Sequence, residues 1–150
     1  MQTRCHPWAT AADENIALIR RGLDAFSRGD FDGGVEDLHP DVEWHLAFRL
    51  PDLPLDKTVY HGRDEVRGVW AAFRSAWDEL TLTLEEVVDA RDDVVVIRAR
   101  FVGRGSGSGI EVDRTVFYVF EIAAGKLKRL RPFDTEAQAL AAAAPEGAGR

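Results

Sequence analysis

The run Gly109-Ile-Glu-Val-Asp-Arg-Thr-Val-Phe-Tyr-Val-Phe-Glu-Ile-Ala-Ala-Gly-Lys-Leu-Lys-Arg-Leu-Arg-Pro-Phe-Asp-Thr-Glu-Ala-Gln-Ala-Leu140 decides the fold. A β-rich segment, Ile110 to Ile122, meets a turn at Gly125-Lys126. A second strand, Lys126 to Phe133, follows, and then a helix to about Ala144. Asp134 can cap that helix, and Thr135 with Gln138 offers an alternative capping-box register. A strand pair this amphipathic does not stand alone and needs a helix layer to cover it. Alternation gives the long strand two faces. Val112, Arg114, Val116, Tyr118, Phe120 and Ile122 share one, and Thr115, Phe117 and Val119 the other.

Upstream, Val94 to Val102 and Thr81 to Asp89 read as strands joined by a turn at Arg91-Asp92-Asp93. Gly103 to Gly109 reads as a flexible connection. The clearest helix is Gly62 to Leu80, where Val66, Trp70, Phe73 and Trp77 recur at helical spacing and put three aromatic rings on one stripe. Val42 to Phe48 alternates as a short strand, and Leu50 to Thr58, with Pro51 and Pro54, is a loop. Ile16, Ile19, Leu23 and Phe26 share a face of a helix over Asp13–Arg28, with Asp13 as its N-cap and Gly29 as its stop. A shorter helix, Phe31 to Leu38, ends at His39-Pro40, because the residue before proline avoids the helical region. Helices grouped early and hairpin-linked strands grouped late mean an α+β fold, with helices on one face of a curved sheet. Residues 1–12 read as a loose lead-in, 13–144 as a single domain and 145–150 as a flexible tail.

The net charge of −7 argues against nucleic acid and anionic membrane surfaces as partners, since both need clustered Lys and Arg. No apolar run approaches the ~18 residues of a membrane span. No N-terminal segment has the order of a signal peptide, and Cys5 is the only cysteine, so the expected address is the cytoplasm. Four scattered histidines lack metal-ligand spacing, and no metal or other cofactor is expected. His39 reads as helix-terminal, His45 as a surface or interface residue and His61 as a loop residue. Gly103-Arg-Gly-Ser-Gly-Ser-Gly109 fails both phosphate-loop frames, and no helix follows to receive an anion.

Several local patterns carry a resemblance. They are Arg28-Gly-Asp-Phe31, His39-Pro-Asp-Val-Glu-Trp44, Tyr60-His-Gly-Arg-Asp-Glu-Val66, Gly105-Ser-Gly-Ser-Gly-Ile-Glu-Val112, Gly125-Lys126 and Phe133-Asp134 before Glu136-Ala-Gln-Ala-Leu140. In order and spacing, over residues 13 to 143, the chain resembles the SnoaL-like members of the nuclear transport factor 2-like superfamily. The resemblance implies a cone-shaped α+β barrel: a curved, mostly antiparallel sheet wrapped around three N-terminal helices, with a short C-terminal helix. It also implies a mostly apolar pocket and a homodimer through the open sheet face. Members include isomerases, epoxide hydrolases, cyclases and proteins that only bind, so the fold does not settle the function.

The residues that carry chemistry in such relatives are mostly replaced. Gly22, Trp44 and Val116 stand where the steroid-isomerase pattern wants a tyrosine, a carboxylate base and a protonated aspartate. Arg114 matches the arginine of an epoxide-hydrolase Asp-Arg-Asp set, but Val116 and Arg131 replace its carboxylates. Asp113 lies on the opposite strand face from Arg114, which argues against a cyclase-like acid there.

The expected pocket lining is Trp44, Trp70, Phe73, Trp77, Arg114, Val116, Tyr118 and Arg131. Leu127, Arg129, Arg131 and Phe133 would share one face of the last strand. Aromatic walls with one or two guanidinium groups suit an apolar ligand bearing a carboxylate or enolate-like oxygen. Alternatively Arg114 and Arg131 pair with Asp113, Glu43 or Glu121 at a rim, because a buried unpaired arginine is costly. If there is catalysis, Tyr118 donates to a developing oxyanion and Arg114 stabilises its charge. Thr115, Phe117 and Val119 are the expected dimer interface. Two functions follow as expectations. One is a small-molecule-binding protein, an isomerase, cyclase or hydrolase of an apolar polyketide-like, terpenoid or aromatic metabolite. The other is a non-catalytic homodimeric binding or assembly module.

Overall fold

The computed structural model describes residues 10–46, 58–107 and 109–144. The order is α1 (Ala11–Arg28), α2 (Phe31–Val35), β1 (Leu38–His45), β2 (Val59–His61), α3 (Arg63–Ser75), β3 (Trp77–Ala90), β4 (Val94–Gly105), β5 (Glu111–Ala123), β6 (Lys126–Phe133) and α4 (Glu136–Ala143). The strands form one sheet in the order β2-β1-β6-β5-β4-β3. Among the described residues only the β1–β6 pair is parallel. The fold is therefore α+β, with an unclosed, curved sheet around the N-terminal helices and a short helix at the C-terminal end. The expected loop over Leu50–Thr58 falls mostly outside the described residues, as do the lead-in up to residue 9 and the tail from 145.

Helix α1 starts one turn earlier than the sequence suggests. Thr10 is its N-cap: the Asp13 N–H donates to Thr10 Oγ1 at 3.1 Å, and the Thr10 N–H donates to Asp13 Oδ2 at 3.2 Å. Asp13 is thus the reciprocal partner in a capping box rather than the cap. The helix ends at Gly29, whose φ of 78° is open to glycine without strain. Helix α4 uses the Thr135 register, with the Gln138 N–H donating to Thr135 Oγ1 at 3.1 Å.

Three boundaries differ from expectation. Helix α2 stops at Val35, and β1 already begins at Leu38, running through Pro40. Proline is tolerated because the β1–β6 register shifts between Leu38 and Glu43, where Pro40 forms no ladder pair. Strand β2, unforeseen in the sequence, pairs with the end of β1. Helix α3 ends at Ser75 rather than Leu80, and Trp77 opens β3 opposite Gly105. Packing overrides the helical spacing there: Trp77 meets Phe101 edge-on, with ring centroids 4.9 Å apart.

The main core lies between α1, α3 and the inner sheet face, where Leu18, Ile19, Val66, Val69 and Trp70 meet Val95, Ile97, Ala99, Val116, Tyr118 and Phe120. Asn15, the buried polar residue of α1, donates through Nδ2 to the Arg91 carbonyl at 3.0 Å and ties the helix to the β3–β4 turn. A second cluster sits on the outer face. There α4 lays Ala139 and Ala143 over Val94, Val96 and Val119. Residues Val94 to Ile97 are consequently buried on both faces of β4.

Candidate functional site

The helices and the inner sheet face enclose a chamber of about 90 Å³. Strand β1 brings Trp44, α3 brings Trp70 and Phe73, and β5 brings Tyr118 and Phe120. Leu18, Ile19, Leu23 and Phe26 of α1 close another side. Trp44 stands edge-on to Trp70 with centroids 5.4 Å apart, and the Trp70 benzo edge abuts Gly34. A side chain at Gly34 would put its Cβ 3.0 Å from Trp70 Cζ3, so only glycine lets the indole seat this deeply. Gly22 also borders the chamber, and a Cβ added there meets nothing within 4 Å. The volume is below the roughly 150 Å³ of a dry cavity that binds benzene. Trp44, Phe73 and Leu46 in its wall are only half-buried.

Four of the expected pocket residues, Trp44, Trp70, Phe73 and Tyr118, meet at this chamber. The other four do not. Trp77 packs in a separate cluster with Ala76 and Phe101, because it belongs to β3 and not to the α3 stripe. Arg114 and Val116 line a neighbouring recess of about 220 Å³ with Pro132, Phe133, Asp134 and Gln138, and Leu46 borders both spaces. Arg114 Nη2 donates to Asp134 Oδ1 at 3.1 Å at a solvated rim.

Arg131 points to the outer face. In the β5–β6 ladder Glu121 faces Arg129, while the next residue, Ile122, faces Leu127. Lys128 is thus an extra residue, a β-bulge that inverts the alternation of β6. Leu127 and Leu130 both reach the chamber wall, and Arg129 and Arg131 turn away from it. This corrects the simple parity that grouped Leu127 with the two arginines. Glu121 Oε2 accepts from Arg129 Nε at 2.6 Å and from Arg131 Nη2 at 3.0 Å. Beside them His45 Nε2 lies 2.6 Å from Glu43 Oε2. That hydrogen bond holds the Glu43 carboxyl below its ordinary value, against partial burial, helped by the charges of His45, Arg129 and His61.

The outer face is also less open than expected. Val119 is fully buried beneath α4, and Phe117 packs half-buried at the edge of the same cluster. Thr115 alone of the three expected interface residues is exposed. The correction is physical: α4 folds back over the strand face that parity left bare.

Polar groups at the chamber are few. Among the described residues no Lys or Arg borders it. Asp37 and His45 do; Arg21 holds the Asp37 carboxylate through Nε at 3.4 Å and Nη2 at 3.3 Å, and His45 is engaged by Glu43. Burial pushes the Tyr118 phenol up to about 12, with the Arg114 charge acting in the opposite direction. The phenol is therefore a neutral hydrogen-bond donor at physiological pH. Among the described residues Trp70 Nε1 is buried with no hydrogen-bond partner, a state that costs about 1–3 kcal/mol. No cluster of three or more His, Cys, Asp or Glu that could hold a metal occurs among the described residues. No helix is long and apolar enough to cross a membrane among the same residues.

The SnoaL-like domain pattern matches residues 19–130. The chain belongs to the SnoaL-like family. It is 30% identical over 122 residues to the uncharacterized protein Rv0034 of Mycobacterium tuberculosis, covering 81% of this chain and 88% of that one. A nuclear transport factor 2-like protein of Burkholderia pseudomallei shares the fold with a TM-score of 0.69 at 20% identity, covering 85% of this chain and 95% of that one. TerC, co-crystallized with polyporic acid, has a TM-score of 0.68 at 20% identity over 83% of this chain and 94% of its own. Rv0760c of Mycobacterium tuberculosis, in complex with estradiol-17beta-hemisuccinate, has a TM-score of 0.68 at 16% identity over 86% of this chain and 97% of its own. At these identities the structural likeness is one of fold.

Within the family's architecture, the signals for the chamber were uneven. The apolar face of α1 and the even face of β5 were visible as periodicity. The Lys128 bulge had no composition signal. The Trp70 seat against Gly34 joins residues 36 positions apart and needs the fold to be seen.

Proposed function

We propose that this SnoaL-like protein binds an apolar, ring-containing small molecule of polyketide-like, terpenoid or aromatic type in the chamber. The carrying observation is the joining of Trp44, Trp70, Phe73 and Tyr118 around one apolar space with a neutral phenol in its wall. Two structural relatives, TerC with polyporic acid and Rv0760c with estradiol-17beta-hemisuccinate, were crystallised with small molecules, which supports the same reading. If the ligand is turned over by isomerisation, cyclisation or hydrolysis, Tyr118 would donate to a developing oxyanion. Arg114 acts only through its charge, from the neighbouring recess. The reading is tested by native mass spectrometry and tryptophan fluorescence against a panel of ring metabolites. Gly22→Leu fills open space at the chamber wall from a helical position, so it should abolish binding while the fold persists. Unchanged affinity in that variant would sink the reading.

A second reading, a binding or assembly module without turnover, has one observation in its favour. The carboxylate bordering the chamber, Asp37, is engaged by Arg21 rather than set up as a base. Its homodimer would use the outer face beyond α4, where Thr115 and Val102 are exposed and Phe117 is half-buried. Light scattering tests this part: Val102→Asp should shift a dimer to monomer, and a monomeric wild type would rule the dimer out.

A further inference from the structure

We propose that the chamber selects a neutral ligand carrying a carbonyl-type acceptor oxygen, and that Trp70 Nε1–H is the group that recognises it. This rests on the ligand-binding reading above and names the chemical class of the ligand. Trp70 is 6% exposed and borders the chamber, yet among the described residues its Nε1 has no hydrogen-bond partner. An indole N–H only donates, so its partner must be an acceptor. The ring is fixed in place by Gly34 against its benzo edge and by the edge-on Trp44, so the N–H has a set direction. A fixed, desolvated donor gains most from an oxygen that brings little desolvation of its own.

Charge decides against an anionic ligand. No Lys or Arg borders the chamber among the described residues. The arginines once expected there lie elsewhere, Arg131 on Glu121 and Arg114 on Asp134. Asp37 adds a carboxylate to the wall. A carboxylate in the chamber would lose its hydration and meet only His45, whose Nε2 is already engaged by Glu43. A ketone, quinone or lactone oxygen has no such penalty. Trp70 is thus a specificity-determining residue that separates oxygenated rings from hydrocarbons of the same shape.

The test compares 1-indanone, indane and indane-1-carboxylate, which share one ring skeleton. Affinities are measured by calorimetry on the full chain. The Trp70 indole N–H signal is followed by ¹⁵N NMR and assigned by its loss in Trp70→Phe. The expected result is that indanone binds about 5- to 10-fold more tightly than indane, the size of one net neutral hydrogen bond. It should move the Trp70 signal downfield, and Trp70→Phe should erase the preference for indanone over indane. Equal affinities for indanone and indane with an unmoved Trp70 signal would overturn the inference and leave the ligand-binding reading standing. Tighter binding of the carboxylate would overturn the claim of neutrality. Binding of none of the three would overturn both. The wild-type comparison and the NMR shift decide the matter even if Trp70→Phe fails to fold.

Discussion

Gly103 lies directly against Trp77: a Cβ at residue 103 would stand 2.7 Å from the indole Cε3. The same Cβ would come within 3.0 Å of the Glu79 carbonyl oxygen, so neither neighbour can yield freely. Gly103→Ala should therefore destabilise the fold by about 1–3 kcal/mol, the usual range for overpacking. Urea unfolding measures it. A change within about 0.5 kcal/mol would show that β3 and β4 separate more easily than this contact implies.

Gly22 is the opposite case. It sits in the middle of α1, where glycine is less favourable than alanine, and its Cβ position is open. Gly22→Ala should raise stability by about 0.5–1 kcal/mol. A loss of stability in thermal unfolding would mean that the chamber wall is tighter there than the geometry indicates.

The chain has two tyrosines. Tyr118 has an ordinary value of 10.0 and is pushed up to about 12 by burial. The unfolded state loses its phenolic proton first as pH rises. Stability linked to Tyr118 is hence complete below pH 10 and is lost as pH climbs toward 12. Spectrophotometric titration should show a late phenolate step that Tyr118→Phe removes. Persistence of that step in the variant would assign it elsewhere.

Glu43 runs the other way. Its carboxyl lies below the ordinary 4.5, chiefly through the His45 hydrogen bond. The stability it contributes is present above that value and is lost as pH falls through its folded value. His45→Ala should flatten the acid limb of a stability-versus-pH curve. An identical acid limb in the variant would remove Glu43 from the account.

Ala139 is fully buried between α4 and the outer sheet face. Ala139→Glu places an unpaired charge in that contact and should undock α4, at a cost of several kcal/mol. Val119, Val94 and Val96 would then be bared, so the variant should self-associate in light scattering. A monodisperse variant of native stability would show that α4 does not cover these valines.

Much of the architecture was legible in the chain. The periodicity of Leu23, Phe26, Val66 and Trp70 marked helices, and the alternation from Val112 to Ile122 marked the long strand and its inner face. Tyr118 and Phe120 of that face border the chamber. Parity failed wherever one residue interrupted it. Lys128 bulges out of the β6 ladder, and from there Arg131 points away from the pocket it was expected to line. Helical spacing failed at Trp77, where contact with Phe101 outweighs a pattern that is only a local preference.

By itself, then, the sequence determined most of the elements, the α+β class and the family, because hydrophobic periodicity and turn chemistry are local properties. Tertiary structure alone decided which polar groups border the chamber. A bulge set the side of β6 on which its arginines lie, and the fold-back of α4 set how much outer face stays open. The Trp70 N–H became an unpartnered donor only when Gly34, Trp44 and the sheet closed around it. Each of these depends on groups distant in the chain, whose desolvation and pairing exist only after folding.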